Sequence, residues 1–176
     1  VIGNRDPQRW VRAAQDYNAR YGTLFEPLGY FEVVRRRYRE ADSWYARAIG
    51  VQPDPWSAQR ERGLNLMRLG DKEGARAHLT RAYGGDPYST ATVHSLRLLD
   101  SVDQFEVIES TPPALRLQLH RTEAAALSPY VQQLSREAIA SFSSRYGWTP
   151  TTPLTVEMYP DHDDFAVRIA GLPGIG

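Results

Sequence analysis

Four consecutive residues near the C-terminal end of the chain are of the types that bind cations. They are Asp161, His162, Asp163 and Asp164. Carboxylate oxygens and imidazole nitrogens are ligands of divalent ions, but four adjacent side chains cannot all face one ion unless the backbone loops around it. The same residues suit a helix start, where Asp161 caps the first turn and the next acids lie at the positive end of the helix dipole. We predict a helix start here and no metal site.

The rest of the sequence offers no catalytic group. The histidines are His78, His94, His120 and His162, and no two are four residues apart. The chain has no cysteine, which excludes disulfides, thiolate zinc sites and cysteine nucleophiles. A G-x-S-x-G nucleophile elbow is also missing. We expect His78 on an outer helix face and His120 at a strand end, both at the surface, and nothing in the sequence pairs Glu106, Glu109 and Glu157.

Composition and charge describe a globular chain without attraction to nucleic acid. Hydrophobic residues make up 41% and charged residues 24%, and the formal net charge is zero. No apolar run approaches the roughly 20 residues of a membrane span. Arg35, Arg36, Arg37 and Arg39 invite a nucleic-acid interpretation, but no aromatic–basic alternation supports it, so we favour a solvated helix end. Oligomeric state and compartment stay open.

One period organises the first hundred residues. Matching residues recur 34 positions later: Ala41, Tyr45, Ala48 and Pro53 return as Ala75, Leu79, Ala82 and Pro87, and Gly29 returns as Gly63. A period of this length, with small residues at fixed places and a closing proline, is the signature of a two-helix solenoid. Alanines seven residues apart share one helix face and let neighbouring helices approach closely.

These marks resemble the tetratricopeptide repeat (TPR) pattern, most clearly in RGLNLMRLGDKEGARAHLTRAYGGDP. The resemblance predicts repeats at 22–55 and 56–89, a partial repeat in residues 1–20 and a capping helix at 90–103.

Helix boundaries within the repeats follow from a few residues. Pro27 is tolerated only in a first turn, so we expect a helix from about Glu26 through residue 40, with the next helix at 41–50. Asp54 is the expected N-cap of the following helix. Gly70 suits a left-handed helix end, and Pro87 stops a helix.

After Gln104 the sequence alternates with a period of two, which is typical of strands. FEVIES and LRLQLH predict a hairpin turned by Thr111, Pro112 and Pro113. We predict a helix from the cap Ser128 to Gly147, a third strand LTVEMY and a short helix in PDHDDFAVRIAG. The fold class is therefore mainly α: a TPR-like α-solenoid at 1–104, followed by a small, incomplete α+β unit at 105–176.

The second part is similar to the opening segment of bacterial proteins that carry TPR repeats before a peptidase-MA-like (gluzincin) metallopeptidase domain. The residues that carry this resemblance are YGWTPTTPLTVEMYPDHDDFAVRIAGLPGIG. It implies a zinc hydrolase in the longer parent protein, in which an H-E-x-x-H helix supplies two ligands and a base. This chain contains no H-E-x-x-H. We therefore expect no catalytic residue, no metal ligand and no cofactor in this chain, zinc only in the parent, and a bacterial protein for which export to the periplasm stays open.

The TPR resemblance also implies a partner-binding face, formed by the first helix of each repeat. The positions carried over are Tyr30, Val33, Val34, Arg60, Leu64, Met67, Arg68, His94 and Leu98. Arginines there suit a carboxylate, and methionine gives adaptable apolar contact. The expected partner is a protein or peptide. The alternative, left open, is a purely structural TPR scaffold whose short groove packs on a non-catalytic α+β cap.

Overall fold

The 34-residue period corresponds to two helical hairpins. In the computed structural model, which describes residues 7–52, 54–111 and 114–174, the first repeat contains α2 and α3 and the second contains α4 and α5. The helices of this part are α1 (Pro7–Tyr17), α2 (Phe25–Val34), α3 (Tyr38–Val51), α4 (Trp56–Leu69), α5 (Lys72–Gly85) and α6 (Thr90–Val102), with a short 3-10 turn at Gly22–Leu24. Pro53, Pro112 and Pro113, which were predicted to close a repeat and turn a hairpin, lie outside the described residues.

The repeat in sequence is a repeat of packing contacts. A Cβ atom on Gly29 would lie 2.6 Å from the Tyr45 ring, and one on Gly63 would lie 2.6 Å from Leu79 Cγ. Each pair joins the two helices of one hairpin at the same position of the period. The small residues on the same faces are completely or almost completely buried: Ala41, Ala48, Ala75 and Ala82. The predicted mainly helical, repeat-like architecture is therefore confirmed.

Two helices end in the same hydrogen-bonded motif, one period apart. At the end of α4 the Gly70 N–H donates to Met67 O and the Asp71 N–H donates to Leu66 O. Gly70 is left-handed, with φ +81°, as predicted. This bond pattern is a Schellman motif, which satisfies carbonyls that the helix leaves free. Asp71 then caps α5 by accepting from the Gly74 N–H at 2.9 Å, and α5 ends at Gly85, before Pro87.

The arginine run forms the equivalent motif at the end of α2, which corrects the prediction of one helix through residue 40. The Arg36 N–H donates to Val33 O, the Arg37 N–H donates to Glu32 O, and Arg36 has φ +59°. Arg36 lies 34 residues before Gly70. The helix therefore stops at Val34. Arg36 adopts the left-handed conformation at the repeat position that glycine occupies at Gly70.

The predicted N-cap of α4 is also wrong. Pro55 occupies the N-cap position, and no side chain caps the helix. Asp54 instead has φ +47°, and its carbonyl accepts from the Trp56 N–H at 3.0 Å. The tight turn centred on Pro55 thus takes the place of side-chain capping.

The chain divides into two compact units, one ending at Leu96 and the other beginning at Arg97, within α6. The second unit contains a three-stranded sheet in the order β1-β2-β3. β1 (Phe105–Ser110) and β2 (Leu115–His120) are antiparallel, as the predicted hairpin requires. β3 (Leu154–Met158) is parallel to β2, an arrangement that the sequence did not indicate, and α7 (Arg121–Tyr146) makes the crossover. α8 (His162–Ala170) follows.

The crossover helix begins earlier than predicted. α7 starts at Arg121 rather than at Ser128, and Pro129 lies inside it. The His120 side chain caps the helix by accepting from the Thr122 N–H. The added turns bury Ala124 against Leu117 and Leu119, so tertiary packing outweighs the backbone hydrogen bond that Pro129 cannot donate.

Among the described residues, no helix has the length and apolar character that crossing a bilayer requires.

The shared left-handed position gives a stability test. Replacing Arg36 by glycine should raise the free energy of unfolding by about 1 kcal/mol, because a side chain makes the left-handed region unfavourable. Urea unfolding followed by circular dichroism measures the change. The matched control is Arg39→Gly inside α3, which should lower stability by about 1 kcal/mol. Equal losses in both variants would contradict the assignment of Arg36 as a helix-ending residue.

Candidate functional site

The first helices of the two repeats adjoin. Ser57 Oγ on α4 donates to Glu26 Oε1 on α2 at 2.8 Å. Glu26 and Arg60 lie one period apart, so the same repeat position carries opposite charges in the two repeats. We call the surface formed by these helices, with its residues Tyr30, Val33, Val34, Arg60, Leu64, Met67 and Arg68, the inner face.

The α2 half of the inner face exposes apolar and aromatic side chains. Tyr30 is 59% exposed and Val34 is 61% exposed, whereas Val33 is half-buried. Phe31, which the sequence analysis missed, is 60% exposed, and its ring centroid lies 6.3 Å from that of Tyr30. The α2 half is therefore an exposed apolar patch.

The α4 half of the inner face is more polar. Arg60 Nε lies 3.1 Å from Glu61 Oε1, so this arginine is already held by a neighbouring carboxylate. Leu64 and Met67 are half-buried and Arg68 is exposed. The α4 half thus combines apolar side chains with charged ones.

Tyr45 of α3, which packs against Gly29 of α2, is buried. Burial, reinforced by the charge of Glu61, raises the pKa of Tyr45 to about 12. Arg68 opposes this shift, while Glu26 and Tyr30 add to it. Tyr45 therefore stays protonated at neutral pH.

Two of the positions carried over by resemblance lie on α6, the predicted capping helix, rather than on α2 or α4. His94 is half-buried on α6, outside the two hairpins that carry the other residues. Leu98 is only 1% exposed, so the structure corrects its placement on a ligand-contacting surface: it is a core residue.

The Asp161–Asp164 cluster forms a helix start, as predicted. Asp161 Oδ1 accepts from the Asp163 N–H at 2.7 Å. Asp163 Oδ1 accepts from the Gly174 N–H at 2.9 Å, and Ser101 Oγ donates to Asp164 Oδ2. The carboxylates thus serve separate backbone and side-chain donors. Within residues 7–52, 54–111 and 114–174, no group of three or more acids and histidines is placed to hold a metal ion.

His78 is not the plain surface residue that its position in the helix predicted. Its Nδ1 atom lies 2.5 Å from Gln59 Oε1, and Gln59 is a buried residue of α4. Burial, followed by the positive charges of Arg62 and Arg81, lowers the pKa of His78. The side chain is therefore a neutral polar link between α4 and α5.

Glu157 is paired in a way that the sequence did not reveal. Arg168 Nε donates to Glu157 Oε2 at 2.7 Å, and the Tyr159 hydroxyl donates to the same oxygen at 3.1 Å. Burial and the nearby Glu157 carboxylate raise the pKa of Tyr159, which keeps its hydroxyl a donor. The three residues form an ion-paired cluster between β3 and α8.

No protein-family model and no curated protein matches this chain.

His78 gives a pH test of the link between α4 and α5. A folded-state pKa below the unfolded value means that the unfolded chain binds the proton more readily. The contribution of neutral His78 is therefore fully present above about pH 6.5, the ordinary histidine pKa, and is lost as the pH falls through the lowered folded-state pKa.

The measurement is the urea unfolding midpoint above and below that pH for the unaltered chain and for His78→Gln. The unaltered chain should lose stability on acidification, and the variant should lose less. His162→Gln, at an exposed histidine, is the control and should behave as the unaltered chain does. An identical pH dependence in His78→Gln would contradict the assignment.

Proposed function

We propose that this chain is a protein-interaction module of the TPR type, which binds an extended or helical peptide on the inner face of α2 and α4. The observation that carries the proposal is the pairing of period-related contacts, Gly29 with Tyr45 and Gly63 with Leu79. These contacts hold α2 against α3 and α4 against α5, while Tyr30 and Val34 of α2 stay exposed.

The chemistry of the inner face favours a peptide over a small molecule. Apolar and aromatic side chains from α2 lie beside mixed charges, namely Glu26, Arg60 and Arg68. Such a surface suits a segment with apolar anchors spaced along its length and polar groups between them, as in peptide recognition by helical grooves. Aromatic anchors in exposed grooves contribute most of the binding free energy in such complexes.

The resemblance of residues 105–176 to a gluzincin segment extends this proposal to the parent protein. In the parent protein, the repeats would position a partner or substrate beside a zinc peptidase domain. We assign no catalytic step to this chain. The finding of an H-E-x-x-H helix within about one domain length downstream in the gene would support that extension, and its absence would remove it.

The alternative is a purely structural scaffold, in which the inner face has no ligand. A phage-displayed peptide library screened against the full chain distinguishes the two functions. Selected peptides should bind the unaltered chain, and Tyr30→Ala and Met67→Ala should each weaken binding about tenfold, because burial of a large apolar side chain contributes roughly 1.5–3 kcal/mol.

The control is Tyr88→Ala. Tyr88 is 91% exposed and lies in the turn after α5, off the inner face. Tyr88→Ala should bind the selected peptides with an affinity within about twofold of that of the unaltered chain, since Tyr88 lies outside the proposed contact surface. Failure to select any peptide, or equal affinity of all three variants, would favour the scaffold alternative.

A further inference from the structure

The turn between α2 and α3 carries a cluster of exposed arginines. They are Arg35, Arg36, Arg37 and Arg39, and we call them the arginine turn. All of them are exposed. Among the described residues, Arg37 is the only one of this cluster that forms an ion pair, in which its Nη1 atom lies 3.8 Å from Glu32 Oε2. The other guanidinium groups have no carboxylate partner and are available to an anionic ligand.

The second repeat shows that a hairpin of this kind forms without these arginines. One period later, the same positions are occupied by Leu69, Gly70, Asp71 and Glu73. Both turns nevertheless form the same pair of backbone hydrogen bonds. The Asp71 side chain caps α5, whereas no described side chain caps α3. The fold therefore does not require the arginines, and the two repeats differ here in the sign of their charge.

The surroundings of the turn do not neutralise its charge. The end of α2 carries about half a negative charge and the start of α3 about half a positive one, so the two helix ends cancel. Glu32, which pairs with Arg37, and Glu40 in the first turn of α3 offset two of the positive charges. The turn therefore keeps a net positive charge.

The backbone of Arg36 gives independent support for a role of its side chain. Its φ of +59° is left-handed, a conformation that is unfavourable for any residue with a side chain. The matching residue of the second repeat is a glycine, Gly70, for which this conformation costs little. Strained residues of this kind are found at ligand-contacting sites.

The arginine turn is continuous with the apolar half of the inner face. Arg35 is the C-cap of α2, and its N–H donates to Phe31 O at 3.2 Å. Residues four apart lie on one helix face, so Arg35 follows Phe31 along the surface of α2. Phe31 and Val34, the last residue of this helix, are both exposed. An apolar group that packs on α2 therefore has positive charge beside it.

We propose that the arginine turn makes the inner face specific for an acidic peptide, in which an apolar anchor is followed or preceded by consecutive Asp or Glu residues. The anchor packs on Phe31 and Val34. The carboxylates pair with Arg35, Arg36 and Arg39, whose planar guanidinium groups match carboxylate geometry. This proposal rests on peptide binding at the inner face and adds the charge of the ligand.

The distribution of charge favours a peptide over a nucleic acid. Nucleic acids are bound by basic surfaces that follow several phosphates, whereas these arginines are confined to one turn. Glu26, Glu32 and Glu61 lie on α2 and α4. A phosphate chain along these helices would meet those carboxylates, whereas a peptide can confine its negative charge to the turn.

The test uses the full chain and a library of peptides of about twelve residues, long enough for two anchors on a helical groove. Leu, Phe or Trp occupies the anchor positions, and an adjoining block is entirely Glu, entirely Gln or entirely Lys. Fluorescence anisotropy at about 0.05 M salt should show Glu-block peptides binding about tenfold more tightly than the matched Gln-block peptides, because several exposed ion pairs each contribute modestly. At about 0.5 M salt the preference should fall to within about threefold, since salt screens exposed charges.

Arg36→Gly separates ligand binding from stability. The variant should bind Glu-block peptides about threefold more weakly, because one ion pair is lost, and should bind Gln-block peptides as the unaltered chain does. It is also expected to be more stable than the unaltered chain, so unfolding cannot explain the loss of affinity.

A double variant and a matched control complete the test. Arg35→Gln combined with Arg39→Gln should remove most of the preference for Glu-block peptides. The control is Arg81→Gln, which removes an exposed arginine from α5 and should leave the preference within about twofold. Arg37 stays unaltered, because its replacement removes the ion pair of Glu32.

Three results would overturn the proposal. Equal binding of Glu-block and Gln-block peptides would overturn it and leave peptide binding by the inner face standing. Absence of binding by every peptide would overturn both. The third result is a single-stranded oligonucleotide that binds more tightly than any Glu-block peptide and loses affinity in the double variant, because this would assign the turn to nucleic acid.

Discussion

The close approach of paired helices at two glycines is the constraint on which the repeat region depends. Gly29 and Gly63 each leave room for a large side chain of the following helix, Tyr45 and Leu79 respectively. Both large residues are almost completely buried. Because protein interiors are packed at crystal-like density, a methyl group at either glycine has no space, and the spacing of the two helices in each hairpin is fixed by this contact.

The same constraint accounts for the character of the inner face. With the core filled by Tyr45, Leu79 and small alanines, the apolar residues Tyr30 and Val34 are left at the surface of α2, where they bury little. The buried Tyr45 remains protonated at neutral pH. Stability and the proposed peptide binding thus use different sides of the same helices, which allows ligand-contacting residues to change without loss of the packing contact.

Much of the repeat region could be predicted because each contact involves residues at one fixed period. Ala41 and Ala75 reveal the buried faces, and Gly70 reveals a helix end. The end of α2 could also have been predicted from the period, because Arg36 lies 34 residues before Gly70. It was missed because arginine rarely adopts the left-handed conformation. In the second unit the strands followed from alternation, but the pairing of β3 with β2 and the Glu157–Arg168 cluster depend on chain topology, which no local pattern contains.

The most direct test of the central contact is a double-mutant cycle at Gly63 and Leu79, with unfolding free energies measured in urea. Gly63→Ala alone should cost about 1–3 kcal/mol because it overpacks the helix pair. In a Leu79→Ala background, where the space exists, the same change should cost nothing or stabilise α4 by up to about 1 kcal/mol. The account predicts a coupling energy above about 1 kcal/mol, and additive effects within about 0.5 kcal/mol would contradict it.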